Sequence, residues 1–248
     1  MTTMLNFVAT NPRIGLNTRS GCHGPESDLV HRFASAIVPS FQCRSRQKHL
    51  ALFHEPALET GFPDLVITVY DPRRFENWPA SRAALDIQDL KILNHLYHVG
   101  GSDSGGIGQQ LGIDQRVVDR AVEHLHGAGL IRRFRHEWKP LPLSRTFGIK
   151  RLVAVEAKIA DWQSVFQQAS KNRWFASETY VLSPVNRPAI KTIERSKQLS
   201  IGIYTCNDAG ITEVTSSARL PLPLCYATWL FNEWIGRSLL ASQSSVDC

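Results

Sequence analysis

Two acidic residues and one lysine stand at the ends of two apolar, strand-like stretches of the sequence. Asp64 opens the stretch "DLVITVY", and Glu156 and Lys158 close the stretch "RLVAVEAK". Because side chains alternate along a strand, Glu156 and Lys158 point to the same side of a sheet. If the two strands are neighbours, two carboxylates and one ammonium group meet at one edge of that sheet.

Such a group of side chains favours a particular chemistry. Two carboxylates held close together repel each other and raise each other's pKa. A divalent cation removes that cost, and oxygen ligands suit Mg²⁺, for which we expect Mn²⁺ to substitute. A nearby lysine can orient or deprotonate a water molecule, or stabilise charge on a phosphate, so the pattern predicts phosphodiester hydrolysis. The alternative is that Asp64 caps a turn while Glu156 and Lys158 form a solvated pair.

The motif Pro63-Asp64, followed by Glu156-Ala157-Lys158, resembles the signature of the PD-(D/E)XK nuclease superfamily. The resemblance implies that Asp64, Glu156 and the main-chain carbonyl of Ala157 are metal ligands and that Lys158 is the catalytic lysine. One departure is the spacing, because the two motif strands are usually joined by a short connection and here about ninety residues separate them.

The same resemblance implies two further site residues. Many members have a glutamate on the first helix, where Glu26 stands, as a metal ligand. Some also have a glutamine on the helix after the Glu-x-Lys strand, which Gln168 would match, with Gln167 and Gln163 as nearby alternatives. Glu55 ends the strand before Asp64 and is either an additional ligand or a turn carboxylate.

The elements around these residues predict an α/β fold with a mixed central sheet flanked by helices, as in restriction endonucleases. The first twenty residues are predicted to be an irregular lead-in. The periodicity and turn signals then predict these elements: a helix over Gly24–Val38, strands at His49–His54, Leu65–Tyr70, Leu152–Val155 and Thr179–Ser183, a helix from Asp161 to about Phe175, a hairpin turning at Asn207–Gly210, and a C-terminal helix.

The segment 83–143 reads as helix, short helix, helix and β-ribbon, which resembles a winged helix-turn-helix domain of bacterial transcription regulators. In that fold the third helix lies in the major groove and the ribbon contacts the DNA backbone or minor groove. The residues this implies for nucleic-acid binding are Gln115, Arg116 and Arg120 on the helix, and Arg132, Arg133, Arg135 and Lys139 on the ribbon. A protein–protein module is the alternative. The predicted domains are 1–82 and 144–248 for the nuclease core and 83–143 for the insert.

The composition agrees with a partner of negative charge. The chain has 248 residues and a formal net charge of +6, which favours a polyanion. Its five cysteines are scattered and form no C-x-x-C pair, so we expect reduced thiols and a cytoplasmic protein. No apolar run approaches the roughly 18 residues that span a bilayer, so no membrane partner is expected.

The sequence as a whole predicts a Mg²⁺-dependent endodeoxyribonuclease whose inserted domain holds double-stranded DNA. Family analogy adds a homodimer as an arrangement for cutting both strands. The alternative is a non-catalytic DNA-binding regulator, or an accessory protein of a defence system or mobile element, that keeps a nuclease-like scaffold.

Overall fold

The computed structural model describes residues 4–19, 23–42 and 49–244. In chain order its helices and strands are β1 (Met4–Phe7), α1 (Pro25–Gln42), β2 (His49–His54), β3 (Leu65–Tyr70), α2 (Ile87–Val99), α3 (Ser104–Leu111), α4 (Gln115–Gly127), β4 (Ile131–Phe134), β5 (Glu137–Pro140), α5 (Leu143–Thr146), β6 (Ile149–Ala157), α6 (Trp162–Lys171), β7 (Glu178–Ser183), α7 (Ile190–Leu199), β8 (Gly202–Asn207), β9 (Gly210–Thr215) and α8 (Tyr226–Ser244).

The chain divides into two compact units, and each unit is made of two stretches of sequence. The sheet unit consists of Met1–Asp71 and Ile149–Pro223. The helical unit consists of Pro72–Gly148 and Leu224–Cys248.

The sheet unit contains one seven-stranded sheet in the order β1-β2-β3-β6-β7-β8-β9. The pairs β1–β2, β6–β7 and β7–β8 are parallel, whereas β2–β3, β3–β6 and β8–β9 are antiparallel. The predicted mixed sheet with helices is therefore confirmed. The two motif strands, β3 and β6, are direct neighbours in this sheet.

The alternation of side chains gives this sheet two apolar faces. Helix α1 packs on one face against residues that include Leu65 and Val155, and α6 packs on the other against Val181 and Ile203. Leu65 pairs with Val155 across β3 and β6. Extending this register by one residue places Asp64 opposite Glu156, on the face that α6 covers.

Two elements of the sheet unit differ from the sequence prediction. The irregular lead-in contains β1, which pairs with β2 and stacks Phe7 on Phe53 at 4.7 Å. Only Phe7 of its four residues is buried, so the alternation that marks a strand is weak. Helix α7 was not predicted either, because Ser196 is its one buried residue and the sequence shows no apolar stripe.

Side-chain caps mark the start of three helices of the helical unit. Asp86 and Asp89 form a reciprocal capping box at the start of α2, and Asp103 and Asp114 cap α3 and α4. A two-stranded ribbon of β4 and β5 follows, and Ser102 pairs with Trp138 of that ribbon. The order of helix, short helix, helix and ribbon agrees with the expectation for this segment, while its assignment as a winged helix stays a prediction.

The C-terminal helix α8 belongs to the helical unit. The domain division predicted from the sequence instead assigned all of residues 144–248 to the nuclease core with the sheet. Glu233 of α8 is fully buried and accepts a hydrogen bond from Arg82 Nε at 3.1 Å. Asn232 accepts one from the Gly148 main-chain N–H at 2.8 Å, and Trp229 stacks on Tyr97. These partners come from a distant part of the chain, and sequence adjacency gave no sign of them.

None of the helices in the described ranges is both long enough and apolar enough to cross a bilayer. The described residues include two cysteines, Cys206 and Cys225, and both are free thiols. The expectation of reduced thiols at Cys22, Cys43 and Cys248 concerns residues outside the described ranges.

Candidate active site

Asp64 and Glu156 lie side by side where β3 begins and β6 ends. Asp64 Oδ2 accepts a hydrogen bond of 2.7 Å from the main-chain N–H of Ala157, the residue that follows Glu156. Glu156 is only 4% exposed. The two residues that the sequence places on separate strands therefore form one carboxyl pair, in which Glu156 is buried and Asp64 is half-buried.

Burial and mutual repulsion change how this carboxyl pair titrates. Burial raises the pKa of Glu156, and the negative charge of Asp64 raises it further. Burial also raises the pKa of Asp64, while the hydrogen bond from the Ala157 N–H lowers it. Because two adjacent carboxylates cannot both ionise cheaply in a buried site, the pair holds a proton more tightly than two exposed carboxyls would.

Asn172 completes this carboxyl pair, and the sequence prediction missed it. Its Nδ2 donates a hydrogen bond of 2.6 Å to Glu156 Oε1, and its side chain is 6% exposed. The predicted Gln168 is exposed and, within the described ranges, makes no hydrogen bond to either carboxyl. Asn172 lies at the C-terminal end of α6, one helical turn after Gln168.

Lys158 and Glu26 form an ion pair beside the carboxyl pair. Lys158 Nζ lies 2.8 Å from Glu26 Oε2, and the Lys158 main-chain N–H donates to the carbonyl of Leu182 in β7. The hydrogen bond with Glu26 raises the pKa of Lys158, so its side chain is an ammonium ion at neutral pH. The negative charge of Glu26 also raises the pKa of Asp64.

Glu55 also lies near Asp64. Its main-chain N–H donates to the Asp64 carbonyl at 3.1 Å, and its negative charge raises the pKa of the Asp64 carboxyl. Glu55 has a φ of 45°, a left-handed conformation that is uncommon for residues other than glycine. Both interpretations of Glu55, the turn carboxylate and the additional ligand, stay open.

The donor atoms at this site determine which metal they fit. Among the described residues, no group of three or more His, Cys, Asp or Glu side chains is arranged to hold a metal ion. The site offers two carboxyls and the Ala157 carbonyl, since the carboxylate of Glu26 is bound to Lys158. Mg²⁺ commonly keeps several waters and uses one or two protein carboxylates, so the set fits Mg²⁺ better than a cation that needs a full protein cage.

The helix residues predicted to contact nucleic acid lie in the first half of α4 and are exposed. Arg120 pairs with Asp86 at 3.3 Å, and Gln115 donates to Asp119 at 2.8 Å. No ion pair involving Arg116 is found in the described part of the chain. The opposite face of α4 is buried, as expected.

The ribbon residues predicted to contact nucleic acid are exposed or half-buried. Arg135 has a φ of 58° in the two-residue turn between β4 and β5. Lys139 pairs with Glu137 at 3.2 Å, and the guanidinium of Arg133 lies 5.6 Å from the centre of the Trp138 ring. Arg132 is exposed on β4. Their cationic groups are therefore accessible to a phosphate.

No protein-family model, curated protein or solved structure matches this chain.

Proposed function

We propose that this protein is a Mg²⁺-dependent endodeoxyribonuclease that hydrolyses phosphodiester bonds of DNA at the carboxyl pair. The observation that carries the proposal is the position of Asp64 opposite Glu156 on the neighbouring strands β3 and β6, with Lys158 two residues after Glu156. The mixed sheet and its helix α1 carrying Glu26 agree with a restriction-endonuclease-like core.

Three groups of this chain would hold the metal ion: the carboxylates of Asp64 and Glu156 and the main-chain carbonyl of Ala157. Mg²⁺ at such a site neutralises the carboxylates and supplies a Lewis acid for phosphodiester hydrolysis. The Ala157 N–H and the Asn172 amide fix the orientation of the two carboxyls through hydrogen bonds of 2.7 and 2.6 Å. Preorganised ligands of this kind need little rearrangement on binding.

Lys158 acts as a cation in this proposal. Because Glu26 raises the pKa of the Lys158 ammonium, Lys158 is poorly suited to take a proton from water. An ammonium group has three N–H donors, and one of them is directed to Glu26. The others can orient the attacking water and stabilise the charge that develops on the phosphate. Glu26 then serves to hold Lys158 in place.

The helical unit supplies DNA binding in this proposal, as a winged helix-turn-helix domain. Arg116 and Arg120 lie on the exposed face of α4, and Arg132 and Arg133 lie on the ribbon. Contacts from such residues to phosphates give affinity that does not depend on sequence. Double-stranded DNA is the partner that a helix of this kind fits best.

A second candidate is a DNA-binding protein that keeps the scaffold without cutting. One observation favours it: each polar group of the site already has a protein partner. Glu156 is bound by Asn172, Asp64 by the Ala157 N–H, and Lys158 by Glu26. A site satisfied in this way can be stable without a metal ion.

The two candidates differ in what happens to supercoiled plasmid. The parent protein with Mg²⁺ should nick or linearise the plasmid, EDTA should stop the reaction, and Lys158→Ala should reduce the rate by at least 100-fold. Lys150→Ala is the matched control, because Lys150 is an exposed lysine on the same strand. A gel shift in EDTA should show that both variants bind DNA as the parent does. If all three proteins bind duplex DNA and none cuts it, the non-catalytic candidate is correct.

A further inference from the structure

A cleft between α6 and α7 of the sheet unit has no part in the proposed active site. Its volume is about 570 Å³, within the range of roughly 300–1,000 Å³ typical of ligand sites. We call it the helix cleft. The residues that matter for its chemistry are Trp162, Phe166, Gln167, Lys171, Lys191 and Arg195.

The lining of the helix cleft combines positive charge with aromatic surface. Lys171, Lys191 and Arg195 contribute three cations, and no aspartate or glutamate is among its lining residues. Trp162 and Phe166 add two rings whose centres are 6.0 Å apart and whose planes differ by 32°. Cations that bind phosphates beside rings that stack on bases are the usual components of a site for single-stranded nucleic acid.

Helix α6 connects this cleft to the active site at both of its ends. Trp162 follows Lys158 by four residues, so their Cα atoms are at most about 15 Å apart. At the other end, Lys171 lines the cleft, and the next residue, Asn172, donates a hydrogen bond to Glu156. A DNA strand with one phosphate at the carboxyl pair can therefore reach the helix cleft within a few nucleotides of that phosphate.

We propose that the helix cleft binds a short unpaired segment of the DNA strand that is cut, with a base stacked on Trp162 and phosphates bound by Lys191 and Arg195. The proposal rests on the proposed nuclease function for the identity of the strand. An unpaired segment is required because bases within a duplex stack on each other and their faces are not available to a side chain. The substrate this implies has a single-stranded gap, flap or end next to the cleavage site.

The test measures binding of a fluorescein-labelled oligothymidylate to the full chain in EDTA, by fluorescence anisotropy, so that no cutting is needed. Lys191→Glu and Arg195→Glu each reverse one charge in the cleft. Lys197→Glu is the matched control, since Lys197 is an exposed lysine on the same helix outside the cleft and changes the net charge equally. Trp162→Ala tests stacking, and thymidine monophosphate is added as a competitor.

Each cleft variant should weaken binding of the oligothymidylate about tenfold or more relative to Lys197→Glu, and Trp162→Ala should do so without changing the net charge. The charge reversals should also make binding less sensitive to salt. The slope of the logarithm of the binding constant against the logarithm of the salt concentration should become shallower by about 0.7 for each lost phosphate contact. Equal losses for Lys197→Glu and the cleft variants would overturn the proposal, as would thymidine monophosphate binding as tightly as the oligomer. Plasmid cutting is measured separately, so failure of the nuclease proposal is seen independently of failure at the cleft.

Discussion

The chemistry proposed for this protein depends on two carboxyl groups that are costly to bury. A buried carboxylate without a compensating charge loses its hydration and responds by holding a proton. Asp64 and Glu156 are adjacent, so each adds to the cost of ionising the other. At the scale of single residues, a divalent cation bound between the Asp64 and Glu156 carboxylates would therefore take the place of the proton that the two groups hold.

The first prediction concerns the pH dependence of stability without metal. Because the folded-state pKa of Glu156 is raised, the folded protein keeps a proton that the unfolded chain releases above about pH 4.5. The free energy of unfolding in EDTA should fall as pH rises from that point through the folded-state pKa, by up to about 1.4 kcal/mol per pH unit. Glu156→Gln should reduce this fall, since an amide does not ionise.

Urea denaturation in EDTA between pH 5 and 8 measures the effect. Glu194→Gln is the control, because Glu194 is an exposed carboxylate on α7. It should follow the parent curve. If Glu156→Gln and Glu194→Gln both show the same dependence of unfolding free energy on pH as the parent, the pKa of Glu156 is not raised in the folded protein.

A second prediction separates Asn172 from Gln168. Asn172→Ala removes the amide that binds Glu156 and should cost about 1–3 kcal/mol in free energy of unfolding, because a buried acceptor loses its donor. It should also reduce plasmid cutting, since Glu156 loses its fixed orientation. Gln168→Ala should change the free energy of unfolding by less than about 0.5 kcal/mol and leave cutting unchanged. A larger effect of Gln168→Ala than of Asn172→Ala on cutting would restore the family-based assignment.

Several site residues could be predicted from the sequence for a physical reason. Asp64 precedes one continuous apolar stretch and Glu156 lies at the end of another, and the structure brings them together. Lys158 follows from the alternation of side chains along a strand. Asn172 could not be predicted, because it sits where α6 gives way to the next turn and nothing in its neighbours marks it as buried. Glu26 lies near the site as the ion-pair partner of Lys158, and its predicted role as a metal ligand stays a prediction.

At the scale of elements, helix α4 and the β4–β5 ribbon carry the residues predicted to contact DNA. The buried face of α4 is fixed by Val118, Ala121, Val122 and Leu125. The opposite face, with Arg116 and Arg120, is exposed. Arg120 differs from Arg116 because it is already paired with Asp86, so part of its charge is compensated within the protein.

The third prediction uses this difference. Arg116→Ala and Arg132→Ala should each weaken binding to a DNA duplex in EDTA. Each should also make the slope of the logarithm of the binding constant against the logarithm of the salt concentration shallower by about 0.9, the value for one lost phosphate contact. Arg120→Ala should have a smaller effect. Arg145→Ala, an exposed arginine of the same unit on α5, is the matched control. The DNA-binding assignment fails if Arg145→Ala lowers affinity and slope as much as Arg116→Ala does.

At the scale of the whole molecule, the chain leaves the sheet unit after β3 and returns to it at β6. It then returns to the helical unit with α8. Each unit is thus completed by a stretch that lies far away in sequence. Local periodicity identified most of the helices and strands, but not β1 or α7. It carried no information on which unit α8 belongs to, since that depends on distant partners such as Arg82 and Glu233.

The fourth prediction tests the composition of the helical unit. A protein of residues 72–148 joined through a Gly-Ser linker to residues 224–244 should unfold cooperatively in urea, as followed by circular dichroism. Residues 72–148 alone should not, because buried Arg82 would lose Glu233 and Tyr97 would lose its stacking on Trp229. Equal stability of the two fragments would mean that α8 is not needed by this unit.

The most direct measurement of the central claim is the anomalous diffraction of crystals grown with Mn²⁺. The account predicts a strong anomalous peak within ligand distance of the carboxyl oxygens of Asp64 and Glu156 and of the Ala157 carbonyl, and its loss in Glu156→Gln. A well-ordered site without such a peak at saturating Mn²⁺ would contradict the account.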